Sequence, residues 1–201
     1  MFTLMYGLWE YLFRKDVYQM LILGLDKAGK TNVLEHLKTM YTTLVGLDPG
    51  KILPTVGLNV GRLDAKGQSI VLWDLGGQPA LQSIWDKYYA ESHAVIFVVD
   101  AANPARFAES KAAFDRMRSS SQLAEAPLLV MANKQDLEGA VGVSEISEFF
   151  GIGKTVPPDA PPMKVVPVCA YTGQGLKESI EWLVHAVRIS PRLQRLRVSN
   201  A

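Results

Sequence analysis

Cysteine is nearly absent from this chain. Cys169 is the only one among 201 residues, so no internal disulfide is possible and a reducing compartment suits the protein. Histidine is almost as scarce, and His36, His93 and His185 stand at no metal-ligand spacing, which leaves them as ordinary helix or loop residues. An excess of charge is missing too: 21 basic residues face 20 acidic ones, and a net charge of +1 argues against a nucleic-acid surface. Arg188, Arg192, Arg195 and Arg197 gather at the basic end, read as a solvated tail over 191–201, and Glu145 and Glu148 read as a solvated helix face. No charge run or low-complexity stretch marks a second domain, and 48% hydrophobic content can bury one core. No apolar run reaches bilayer length. The apolar N-terminal stretch is followed, not preceded, by Arg14-Lys15, so neither a transmembrane helix nor a secretory signal fits.

What is present is a phosphate cradle. Gly24-Leu25-Asp26-Lys27-Ala28-Gly29-Lys30-Thr31 reads G-x-x-x-x-G-K-[ST] directly after the apolar run Val17 to Leu23, with helix-like residues from Asn32 to Tyr41 behind it. Glycines let backbone N–H groups turn inward on phosphates, Lys30 can reach the outer phosphates, and the Thr31 hydroxyl can ligate Mg²⁺ at a helix N-terminus.

Base identity comes from Asn133-Lys134-Gln135-Asp136, after the apolar strand Leu128 to Ala132. A carboxylate such as Asp136 accepts two hydrogen bonds from N1–H and the exocyclic amine of guanine, whereas adenine offers no such donor pair. Asn133 would brace the loop and the base, and the Lys134 stem would cover the base face. Between the two sites lies Trp73-Asp74-Leu75-Gly76-Gly77-Gln78. There Asp74 would hold Mg²⁺ through water, the Gly77 N–H would sense the γ-phosphate, and Gln78 would orient the attacking water. Thr55 supplies a loop hydroxyl and N–H that can close over Mg²⁺ and the γ-phosphate. Cys169-Ala170-Tyr171-Thr172 follows a strand near 164–169; the Ala170 N–H is placed to meet the guanine oxygen, and Cys169 reads as packed rather than reactive.

Strands are expected near 17–23, 57–63, 69–74, 94–100, 128–133 and 164–169, alternating with helices. Val95 to Val99 and Leu128 to Met131 are continuous apolar runs, as strands covered on both faces require. Ala65-Lys66-Gly67 is short enough for a hairpin, which makes the second strand antiparallel at the sheet edge. The ligand loops all follow strand ends and so collect at one edge of the sheet.

The N-terminal segment 1–15 is a second distinctive feature. Met1, Phe2, Leu4, Met5, Leu8, Trp9, Leu12 and Phe13 recur at the spacing of one helical face, which predicts an amphipathic helix. Residues 42–53, rich in Gly, Pro and Thr, predict a mobile flap.

The five elements, in this order, resemble the Ras-like small GTPases, and within them the ADP-ribosylation-factor branch. L-D-x-A-G-K-T at 25–31, P-T-x-G-x-N-V at 54–60, W-D-x-G-G-Q at 73–78 and the run from Leu81 to Glu91 carry the resemblance. It implies an α/β G domain over 16–190: a six-stranded, mostly parallel sheet with one antiparallel edge strand and helices on both faces. It implies GTP/GDP and Mg²⁺ as cofactors, slow GTP hydrolysis, an exchange factor, a GTPase-activating protein and effectors. Monomer is the default state. The 57–74 hairpin would slip by two residues on GTP binding and displace the N-terminal helix, a step that keeps every side chain on its face. That helix would then make peripheral membrane contact, with cytoplasmic protein moving reversibly to Golgi membranes in vesicle trafficking. Met-Phe at the start excludes myristoylation, which needs Met-Gly; the resemblance implies instead an acetylated end docking on a Golgi membrane receptor.

Several residues depart from the usual pattern. Asp26 places a carboxylate near the γ-phosphate region, a trait of the branch that goes with feeble unaided hydrolysis. Lys27 replaces a small or amide residue and is read as pointing to water, and Asn32 replaces a threonine. Leu58 replaces the phenylalanine of an effector trio otherwise matched by Trp73 and Tyr88. A GTP-binding scaffold without useful hydrolysis is the alternative, and Gln78 argues against it. Asn133 and Asp136 argue against an adenine-dependent kinase or ATPase.

Overall fold

In a computed structural model, the described residues are 17–43, 52, 55, 57–153 and 160–199. The expected N-terminal helix and most of the 42–53 flap lie outside them.

Six strands form one sheet: β1 (Val17–Leu23), β2 (Leu58–Ala65), β3 (Gln68–Leu75), β4 (Ala94–Asp100), β5 (Leu128–Asn133) and β6 (Met163–Pro167). Their order is β2-β3-β1-β4-β5-β6. Every neighbouring pair is parallel except β2 with β3, so the antiparallel edge hairpin is where the short turn puts it. Lys66 and Gly67 both take positive φ, 52° and 73°, the two-residue turn whose twist matches that of a hairpin.

Among the described residues six helices accompany the sheet: α1 (Lys30–Tyr41), the short α2 (Pro79–Gln82), α3 (Phe107–Arg118), α4 (Val143–Phe150), α5 (Leu176–Ile189) and α6 (Pro191–Ser199), with 3-10 turns at Trp85–Tyr88, Pro104–Arg106 and Ser121–Leu123. Period-two alternation divides the core. Met20, Ile22, Ile96 and Val98 pack with Val33, Leu34 and Leu37 of α1 and Ile180 and Leu183 of α5. Leu21, Leu23, Phe97 and Val99 face the other way, against Phe114 and Met117 of α3 and Phe150 of α4. Both faces are covered, which is why β4 and β5 read as unbroken apolar runs. Among the described residues no helix is long and apolar enough to cross a membrane.

The basic end differs from a solvated tail. Residues 191–199 are helical, and Arg192 is buried, donating to the carbonyls of Ser92 (2.5 Å), Gln122 (2.6 Å) and Tyr89 (2.6 Å). Arg195 pairs with Glu125. Sequence composition counts a guanidinium as surface; here backbone carbonyls left open by the turns beneath it satisfy its donors.

Candidate functional site

The strand order reverses direction about β1, so the loops beyond the carboxyl ends of the strands open a crevice. A cleft of about 250 Å³ lies there, lined by Asp26, Lys27, Gly29, Lys30, Thr31, Asn32, Ile52, Thr55, Gly77, Gln78 and Lys134. Ten of these eleven are residues picked out by spacing; Ile52 is the addition.

The loop after β1 turns through Gly29, at φ 94°, into the first residue of α1. A Cβ at Gly29 would lie 2.3 Å from Asn133 Nδ2, so backbone must pass this close and only glycine fits. Ala28 is buried in the same turn. Lys30 is buried and its Nζ donates to Leu25 O at 2.8 Å. Burial lowers its ammonium to a pKa of about 8, against the opposing pull of Asp74 and Asp26, so an anion in the cleft would meet a cation with little competing hydration. Lys27 is exposed at the rim, as read, in a left-handed conformation of φ 62°.

Two cleft-lining hydroxyls, those of Thr31 and Thr55, converge on Asp74, which is not itself on the lining. Thr31 Oγ1 donates to Asp74 Oδ2 at 2.7 Å, Thr55 Oγ1 does so at 3.2 Å, and the two hydroxyls stand 2.8 Å apart. Asp74 is fully buried; burial pushes its carboxyl upward, opposed by the Thr31 hydrogen bond, Lys30 and Thr55. Its Oδ1 makes no hydrogen bond among the described residues. A buried carboxylate with a spare oxygen beside two hydroxyls is an all-oxygen donor set, which fits Mg²⁺.

Gly77 presses on the phosphate loop: a Cβ there would lie 2.3 Å from Gly24 O and 2.4 Å from Asp26 N. Its neighbour Gly76 donates N–H to Gly57 O at 2.9 Å and accepts Trp85 Nε1–H at 3.0 Å. Gln78 is exposed at the cleft, at the start of α2. Trp85 was not among the sequence candidates.

On the base side, buried Asn133 donates Nδ2–H to Ala28 O at 2.8 Å and accepts the Ala170 N–H on Oδ1 at 2.9 Å. The Ala170 N–H, expected to meet the guanine oxygen, is thus donated within the protein; Asn133 ties loops together more than it reaches a base. Lys134 pairs with Asp100 at 2.6 Å, a partner unmarked by any motif. Asp136 is exposed on the turn after β5 and is not on the cleft lining. Cys169 is buried, its Sγ accepting the Thr172 N–H at 3.4 Å, a packed residue as expected.

Away from the cleft, Trp73 and Tyr88 form an edge-to-face pair with centroids 5.4 Å apart. Val60 is opposite Trp73 across the hairpin, and Leu58, two residues earlier, is on the same face of β2. Both are exposed, Val60 at 44% and Leu58 at 38%, so the apolar patch is larger than the trio by one valine.

Comparison with known proteins agrees with this geometry. Residues 5–187 match the ADP-ribosylation factor family. The chain is 46% identical over 194 residues to human ADP-ribosylation factor-related protein 1, covering 93% of each. It is 39% identical over 186 residues to ADP-ribosylation factor-like protein 3 of Saccharomyces cerevisiae, covering 92% of each. The solved structure of the Arl6 (BBS3) small GTPase of Trypanosoma brucei, with bound nucleotide analogue GppNp, superposes with a TM-score of 0.74 at 27% identity, covering 86% of this chain and 98% of that one. GTP or GDP with Mg²⁺ is what proteins of this kind bind, and they hydrolyse GTP. Phosphate loop, oxygen cluster and sheet order therefore converge with the sequence match, and the chain belongs to the ADP-ribosylation factor family of small GTPases.

Proposed function

We propose that this GTPase is a slow switch that is recruited to Golgi membranes in its GTP form and controls vesicle trafficking there. The observation that carries the switch reading is the Thr31–Thr55–Asp74 cluster. It ties a loop hydroxyl to the residues that would hold Mg²⁺, so ordering of that loop is coupled to what occupies the cleft. Slow hydrolysis is supported by the lining itself: its cations are Lys27, Lys30 and Lys134, with no arginine among the described residues there. An arginine supplied by an activating protein would complete the charge stabilisation, and an exchange factor would reload the site. Leu58, Val60, Trp73 and Tyr88 offer effectors an apolar patch, and losing a phenylalanine at 58 sets the partner range apart from that of coat-recruiting members.

The membrane step rests on sequence: the apolar face from Met1 to Phe13 is too short to span and too large to leave in water. With Phe2 in place of glycine, an acetylated end docking on a Golgi membrane receptor takes the place of an acyl anchor. The test is co-sedimentation of purified, N-terminally acetylated protein with Golgi membranes, loaded in parallel with GDP and a non-hydrolysable GTP analogue. GTP-dependent pelleting supports the reading; equal pelleting of both forms overturns the recruitment step.

A further inference from the structure

Asp26 borders two spaces. On one side is the nucleotide cleft; on the other is a small hollow behind the phosphate loop, lined among others by Ala28, Asn103, Arg106 and Phe107. Arg106 lines only the second. From that side its guanidinium donates Nη2–H to Asp26 Oδ1 at 2.7 Å and Nη1–H to Asp26 O at 3.0 Å. Its remaining edge is held by Glu109, with Nε to Oε2 at 2.9 Å and Nη2 to Oε1 at 3.1 Å. The arginine sits at the end of the turn Pro104–Arg106, whose leading proline fixes the backbone, so the fork is braced at both ends before it meets the loop.

The position of Asp26 gives this clamp a purpose. The residue pressing on it is Gly77, against Asp26 N, so the Asp26 backbone lies beside the loop that carries Gln78, and its side chain borders the cleft as well as the hollow. A free carboxylate there would repel the terminal phosphate of a triphosphate more than that of a diphosphate. We infer that Arg106 is a positioning residue of the phosphate loop: by drawing the Asp26 carboxylate out toward the rear hollow and pairing it there, Arg106 sets the affinity for GTP relative to GDP. The inference deepens the switch reading and rests only on guanine-nucleotide binding in this cleft. Supporting charge behaviour is consistent: burial raises the Asp26 carboxyl, but the Arg106 hydrogen bond and charge outweigh it and hold the group below its ordinary value.

The experiment measures dissociation constants for GDP and a non-hydrolysable GTP analogue, with Mg²⁺, on the full chain and on Arg106→Ala, Asp26→Asn and the double variant. Arg106→Ala is expected to weaken the GTP analogue about tenfold more than GDP at low salt, with the gap shrinking as salt rises. Asp26→Asn on top of it should restore the ratio, because no carboxylate is left to restrain. An equal loss for both nucleotides, or a lost ratio that Asp26→Asn does not rescue, would overturn the inference and leave Arg106 as a brace on the Asp26 carbonyl. If Arg106→Ala does not fold, Asp26→Asn alone decides: a GTP-to-GDP preference that is kept or raised supports the clamp, and one that falls overturns it. Failure of the unaltered chain to bind either nucleotide would instead overturn the reading of the cleft.

Discussion

Asn133 holds Ala28 across 105 positions of sequence, donating Nδ2–H to its carbonyl at 2.8 Å while its Oδ1 takes the Ala170 N–H at 2.9 Å. One side chain thereby joins the phosphate loop to the turn after β6. Asn133→Ala would leave a buried carbonyl and a buried N–H without partners, at a cost of about 2–4 kcal/mol. The expected outcome is a lower denaturant midpoint together with a large fall in affinity for GDP and GTP alike, measured by chemical unfolding and nucleotide titration.

Lys134 and Asp100 meet at 2.6 Å, both partly exposed. Such a pair contributes about 1 kcal/mol or less to stability. Lys134 also lines the cleft, so if its stem covers the base as its motif predicts, the pair with Asp100 would fix that stem. Asp100→Ala should therefore leave the unfolding midpoint within a degree or two while raising the dissociation constant for guanine nucleotides several-fold, read by fluorescence titration.

Magnesium removal should act through Thr31, Thr55 and Asp74. Chelation is expected to speed nucleotide release in the unaltered protein and to have little further effect in Thr31→Asn, which lacks the Thr31 hydroxyl. In cells, Gln78→Leu should accumulate on membranes in the GTP form and Thr31→Asn in the cytosol, read by fractionation; equal distribution of the two would contradict the switch reading.

Arg192 serves three carbonyls from its buried position. Arg192→Ala strands them and should destabilise the protein by about 3 kcal/mol. Arg195→Ala, at an exposed side chain paired with the partly exposed Glu125, should cost less than about 1 kcal/mol. Thermal unfolding of the two variants in the GDP form separates them, and equal effects would place α6 outside the folded core.

Tyr89 gives an alkaline signature. Burial, aided by Asp86, pushes its phenol up to about 12 from 10.0. The folded pKa lies above the unfolded one, so this contribution is whole below pH 10 and drains away as pH rises toward 12. The loss reaches about 1 kcal/mol by pH 11. Tyr89→Phe should lack that portion of the decline, in urea unfolding compared at pH 9 and 11.

The sheet and the cleft were legible because both are written locally. Unbroken apolar runs at Val95–Val99 and Leu128–Met131 require two-sided cover, and glycine spacing before Lys30 requires a tight turn at a strand end. Ten of the cleft-lining residues follow from such patterns. What escaped is long-range and electrostatic. Arg106 finds Asp26 from 80 positions away and Lys134 finds Asp100 from 34, and no spacing announces either. Arg192 was misplaced because its side chain type says surface, while its partners are backbone carbonyls that no sequence pattern marks. The Ala170 N–H went to Asn133 for a related reason: a motif names the residues of a loop but not which of them hydrogen-bond one another.

The two ends of the sheet are also its guards. β2 carries exposed Arg62 and Asp64 along its outer half, charges that any strand adding there would have to bury or pair. β6 at the opposite end is only five residues long, follows Pro161 and Pro162 and closes on Pro167, each without an N–H to offer a newcomer. Between them lie β4 and β5, whose uncharged, apolar stretches Val95–Val99 and Leu128–Met131 have the makeup of fibril-forming segments. Folded, those stretches meet no other molecule. Their safety lies in the fold and not in their sequence, so a substitution that lowers stability should show itself first as precipitation.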